Sequence, residues 1–121
     1  MNWLGIDHVQ MAMPAGAEDA ARAFYVDVLG LTERPKPPEL AARGGAWFES
    51  GAMRVHLGVD PDFSPAKKAH PALVVDDLDA LLARLRERGR QVDPPETLEG
   101  RRRTHIHDDF GNRIELVEGL G

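Results

Sequence analysis

In the stretch MRVHLGV, Met53–Val59, apolar Val55, Leu57 and Val59 alternate with Arg54, His56 and Gly58. This is the period of two of a strand with one face against a core, and it sets His56 on the opposite face. The same alternation runs through IDHVQMAMP, where Val9, Met11 and Met13 share one face and His8 and Gln10 the other. Between these strands the period changes. Over residues 16–29, Ala20, Ala21, Phe24, Tyr25, Val28 and Leu29 recur at helical spacing, with Glu18 and Asp19 in the first turn and Gly30 as the stop. Pro35, Pro37 and Pro38 confine ERPKPPEL to an edge or a loop. GGAWFESGAMRVHLGV then reads as a hairpin that turns at ESG.

After a Pro-containing linker at residues 60–68, the order begins again. Leu73 and Val75 share one strand face, with His70 and Ala72 on the other. Leu78, Leu81, Leu82 and Leu85 form a helix stripe, Asp76 or Asp77 supplies the N-cap, and Arg84, Arg86 and Arg88 suit the last turns before Gly89. A Pro-rich piece, VDPPETLEG, leads into a second hairpin, RRRTHIH and NRIELVE, joined at DDFG. Overlaid, the halves set His8 on His70, Arg54 on Arg113, Val55 on Ile114, His56 on Glu115 and Leu57 on Leu116. A repeat of this length in a 121-residue chain predicts two copies of one β-α-β-β-type unit.

The repeat gives the histidines their interest. His8, His56, His70 and Glu115 occupy two pairs of equivalent strand positions, each opposite the face that packs on a helix. Sheets that curve toward each other would turn all four into one cleft. Three imidazoles and a carboxylate suit a divalent Zn, Ni, Fe, Co or Mn ion. The chain has no cysteine, which excludes disulfides, thiolate ligands and thiol nucleophiles.

Composition narrows the class further. With 42% hydrophobic and 29% charged residues the chain is expected to fold as a globular protein. A net charge of −5 argues against a nucleic-acid partner, the run Arg101 to Arg103 being a local exception. That run reads as a solvated strand end or as a clamp for a small anion. MNWLGIDHVQ has neither the basic region nor the apolar stretch of a signal peptide, and no segment is long and apolar enough to span a membrane, so a cytoplasmic location is expected.

IDHVQMAMP, ARAFYVDVLGL, AHPALVVDDLDAL and HDDFGNRIELVE together resemble the vicinal oxygen chelate superfamily, the glyoxalase/bleomycin resistance/dioxygenase fold. The resemblance covers essentially the whole chain. It implies an α+β domain of two βαβββ modules, residues 1–62 and 66–121, whose curved sheets enclose a divalent metal. It also implies that His8, His70 and Glu115 match the usual two-His, one-carboxylate ligand set. His56 matches a fourth position that is glutamate in glyoxalase I, and is expected as a fourth ligand or a base. His105 matches an active-site position and is expected in an acid–base or supporting role, with His107 exposed. Gln10, Arg54 and Arg113 share faces with the ligands and are candidates for holding a polar substrate, with Trp47 and Phe48 as an apolar wall. The expected activity is glyoxalase-like lyase or isomerase chemistry on a small oxygenated molecule, ahead of dioxygenation, in a homodimer. The alternative is a bleomycin-resistance-like protein that sequesters a drug or metabolite without catalysis.

Overall fold

The computed structural model describes residues 1–119, which form two compact units, Met1–Ser64 and one from Pro65 onward. The first runs through β1 (Val9–Met13), α1 (Glu18–Arg22), a π-helical segment (Ala23–Val28), β2 (Thr32–Arg34), α2 (Pro38–Ala41), β3 (Ala46–Ser50) and β4 (Met53–Val59). Its sheet has the order β1-β4-β3-β2, with β1 parallel to β4 and the other pairs antiparallel. The second repeats the plan with β5 (Ala72–Val75), α3 (Leu78–Glu87), β6 (Glu96–Leu98), β7 (Arg101–His107) and β8 (Arg113–Glu118), in the order β5-β8-β7-β6. The fold is α+β, two repeated modules each built on a four-stranded mixed sheet. Among the described residues no helix is long and apolar enough to cross a membrane.

In the first module one sheet face packs on the helix, burying Met13, Phe48, Val55 and Leu57 with Ala21, Phe24, Tyr25 and Val28. The helical period expected over residues 16–29 holds only to Arg22. Beyond it Leu29 N–H donates to the Phe24 carbonyl, five residues back, and the wider turn brings the adjacent Phe24 and Tyr25 into the core together. Tyr25 stacks on Phe48 with ring centroids 5.2 Å apart. Phe48 is therefore core, and of the expected apolar wall only Trp47 lies on the other face. Two further boundaries differ from expectation: ERPKPPEL holds both edge strand β2 and the short helix α2, which starts at Pro38, and His8 and His70 lie just ahead of their strands.

The second module packs Leu78, Leu82 and Leu85 of α3 on Ile106, Ile114 and Leu116. Asp77 caps α3 by accepting the Ala80 N–H at 3.0 Å, and Glu118 accepts the Leu78 N–H. The β7–β8 turn is set by Asp108, which is buried and accepts the N–H groups of Phe110 and Asn112. Asn112 returns a side-chain hydrogen bond to it at 2.9 Å. This closed turn fixes the register of the strands that follow, with His107 opposite Arg113 and His105 opposite Glu115.

Two glycines leave room for that architecture. A Cβ on Gly45, whose φ is +83°, would stand 2.2 Å from the Leu57 carbonyl oxygen, and one on Gly58 would stand 2.5 Å from the Gln10 amide nitrogen.

Candidate metal centre

Strand alternation sends Thr104 and Ile106 into the core and leaves Arg103, His105 and His107 on the open face of the second sheet. Glu115, on β8, lies opposite His105 on β7 and opposite Ala72 on β5, and its N–H donates to the Pro71 carbonyl. His70, two residues ahead of Ala72, reaches over that rung. Ligand atoms of His70, His105 and Glu115 lie within 4.8 Å of one another.

The protons in this cluster decide what it can hold. His70 Nδ1 lies 2.8 Å from the Lys68 carbonyl, an acceptor only, so Nδ1 carries the hydrogen. In the neutral ring Nε2 is then a bare lone pair, and it faces Glu115 Oε1 at 3.0 Å. Two acceptors at that distance require a shared cation, either a second proton or a metal ion. His105 Nε2 stands 3.4 Å from the same oxygen, is sealed from solvent and makes no hydrogen bond among the described residues. Burial, then the Arg113 charge, lower the His105 pKa, which keeps its lone pair available at neutral pH. Separations of about 3.0–3.4 Å are those of neighbouring ligands each roughly 2.1 Å from one ion. The orphaned His105 nitrogen beside the close His70–Glu115 pair fits a borderline divalent cation.

Arg103 holds the other carboxylate oxygen, its Nη1 donating to Glu115 Oε2 at 2.9 Å. Burial pushes the Glu115 carboxyl up, but a hydrogen bond from His70 Nε2, present when the cation shared by the pair is a proton, and the Arg103 charge outweigh it and hold the group below the ordinary glutamate range. The rest of the arginine run is also committed to protein partners. Arg101 donates to the Glu118 carbonyl and Arg102 to Asp79 and Glu118.

In the first module the corresponding row is Trp47, His56 and Gln10, paired across β3, β4 and β1. His8, two residues ahead of Gln10, stacks on His56 with centroids 4.1 Å apart, and Trp47 stacks on His56 at 4.2 Å. His8 Nδ1 donates to Asp7 at 2.8 Å, and Arg54 lies 3.6 Å from the same carboxylate. His56 is 8% exposed because the stacked rings cover the face that alternation left open. Burial chiefly, and the neighbouring His8, lower its pKa, so the ring is neutral at neutral pH.

Of the residues expected at a site, His70 and Glu115 stand together and are joined by His105, while His8 and His56 form a stacked pair in the first module. Arg113 lies one rung from Glu115, on the same face. Asp7 and the Lys68 carbonyl stand outside the sequence expectations, and Arg103 figures in them only within the run Arg101 to Arg103, as a strand end or an anion clamp, whereas it is bonded to Glu115. Strand alternation alone sets Arg103 on the His105 face and was available as a signal; a backbone carbonyl leaves no mark in a sequence.

Residues 5–116 match the family model described as Glyoxalase/Bleomycin resistance protein/Dioxygenase superfamily. A glyoxalase family protein from Bacillus anthracis is similar along 98% of both chains, with 45% identity and a TM-score of 0.92. A lactoylglutathione lyase from Agrobacterium tumefaciens is 25% identical over 91% of both chains, with a TM-score of 0.67. A fosfomycin resistance protein from Listeria monocytogenes shares the fold at 14% identity, over 98% of this chain and 96% of that one, with a TM-score of 0.74. No curated protein sequence matches the chain. With the family model and a 45% identical relative both spanning its two modules, the chain belongs to the glyoxalase/bleomycin resistance protein/dioxygenase superfamily.

Proposed function

We propose that the chain is a divalent-metal-dependent enzyme that acts on a small molecule through two of its oxygens, by glyoxalase-like lyase or isomerase chemistry rather than dioxygenation. The observation that carries this reading is the approach of His70 Nε2 to Glu115 Oε1, 3.0 Å apart, beside the orphaned Nε2 of His105. A bound ion of the Zn, Ni, Fe, Co or Mn class would supply Lewis acidity to the two substrate oxygens.

The side chains have distinct parts. His70, oriented through the Lys68 carbonyl, and Glu115, steadied by Arg103, are ligands. His105, expected in an acid–base role, is proposed as the third ligand, because its neutral Nε2 has no other partner among the described residues. His8 and His56, expected as ligands, remain in the proposal as metal-capable imidazoles. His56 is also the proposed proton acceptor, since burial keeps it neutral. The activity named for the Agrobacterium protein favours lyase chemistry over oxygenation. A homodimer is part of the proposal: Trp3, Leu4, Ile6 and Val74 are exposed, and among the described residues β1 pairs only with β4 and β5 only with β8.

The test compares chelator-stripped and metal-reloaded protein on thiohemiacetals and α-hydroxycarbonyl compounds. Turnover that returns with metal and is abolished in Glu115→Gln is expected. Equal turnover without metal contradicts the reading, and tight binding of a hydrophobic drug with no metal uptake moves the protein to sequestration.

A further inference from the structure

Beside the metal-capable cluster the second module has an open cleft of about 520 Å³, walled by His105, His107 and Arg113 and by the segment of Arg90 and Asp93. Arg113 opens β8 directly opposite His107, one rung from the His105–Glu115 pair and on the same face. Successive same-face rungs are about 7 Å apart along a strand. Every arginine of the run Arg101 to Arg103 is bonded to protein, and Arg90 donates to Asp109 at 2.8 Å. The Arg113 side chain makes no hydrogen bond or ion pair among the described residues, although it is half-buried at the wall of a cleft.

We propose that Arg113, with His107, forms an anion subsite for the substrate: a single oxyanionic group, carboxylate or phosphate, carried on a short tail beyond the chelating oxygens. The inference rests on the metal reading for the chelating end only. A guanidinium offers several donors in a fork that fits an oxyanion, and a partly desolvated one gains most from such a partner. Asp93 also lines the cleft, and its negative charge disfavours a polyanion such as a diphosphate. Arg113 would thereby select charged substrates over neutral ones with the same chelating end.

Two titrations separate the subsite from the metal. In the first, inorganic phosphate and acetate are added separately to metal-free protein, and the Arg113 side-chain and His107 ring resonances are followed by NMR. Saturable shifts are expected with at least one anion, lost in Arg113→Gln and partly kept in Arg113→Lys; the anion that binds more tightly identifies the tail. In the second, Co-loaded protein is titrated with lactate, malate and 3-phosphoglycerate, which share a 2-hydroxycarboxylate end and differ in the second anion. Malate or 3-phosphoglycerate is expected to bind about tenfold or more tighter than lactate, and Arg113→Gln to remove that advantage while leaving lactate and metal binding in place. Metal uptake with no response of Arg113 to either anion, and no preference over lactate, overturns the subsite and spares the metal reading. Anion binding at Arg113 in a protein that takes up no metal supports the subsite and overturns the metal reading.

Discussion

Replacing Arg103 by Met tests whether the pairing that steadies Glu115 holds in solution. The ion pair is 2.9 Å long, with side-chain exposures of 22% for Arg103 and 11% for Glu115. Removing one partner of a fully buried pair costs about 3–5 kcal/mol. Here three features reduce that figure: Arg103 retains some water, Glu115 keeps its contact with His70, and Arg103 Nε is buried without an acceptor, an existing penalty of roughly 1 kcal/mol that the variant relieves. A net loss of about 1–2 kcal/mol follows. The pH dependence is more diagnostic. Because the folded Glu115 carboxyl sits below its ordinary value, its stabilising contribution is complete above the unfolded glutamate pKa, near 4.5, and is lost as pH falls through the folded value. Without Arg103 the burial that pushes this carboxyl up is less opposed, so the acid limb moves to higher pH. Urea denaturation of metal-free protein between pH 3 and 8 reads both effects, and metal affinity should fall about 10–100-fold. Unchanged stability and an unchanged acid limb in Arg103→Met would refute the argument.

His56 and His105 both have lowered pKa values, so stability is full above the unfolded histidine value near 6.5 and declines as pH falls from there toward their folded values. A urea series should show this step, and His56→Phe should diminish it. Asp77→Ala should cost about 1 kcal/mol by removing the α3 cap, read from the same melts. Gly45→Ala should destabilise by more than about 1 kcal/mol, since the left-handed backbone and the Leu57 carbonyl leave no space for a Cβ; an unchanged melting temperature would count against the local geometry.

The sheet plan was legible because it rests on alternation and repetition. Aligning His56 with Glu115 and His8 with His70 anticipates a register in which Gln10 pairs with His56 and Ala72 with Glu115, each two residues after a histidine. The same logic sets Trp47 at the repeat position of His105, which explains a ring stack in one module and a ligand cluster in the other. The π-helical segment was not legible, because Phe24, Tyr25 and Val28 satisfy both a regular and a widened turn. Helix α2 hid behind prolines that read as breakers, although Pro38 at a first helical position is a start signal. His105 joins His70 and Glu115 only through the register that Asp108 imposes, a constraint from one buried turn that periodicity does not express.

The central claim is that His70, His105 and Glu115 share one divalent ion. Elemental analysis of protein purified without added metal, with X-ray absorption at the edge of the metal found, tests it most directly. The account predicts close to one ion per chain with imidazole and carboxylate-type oxygen ligands, lost in the His70→Ala, Glu115→Ala double variant. No uptake from excess Zn, Ni, Co, Fe or Mn, or full retention in the double variant, would contradict it.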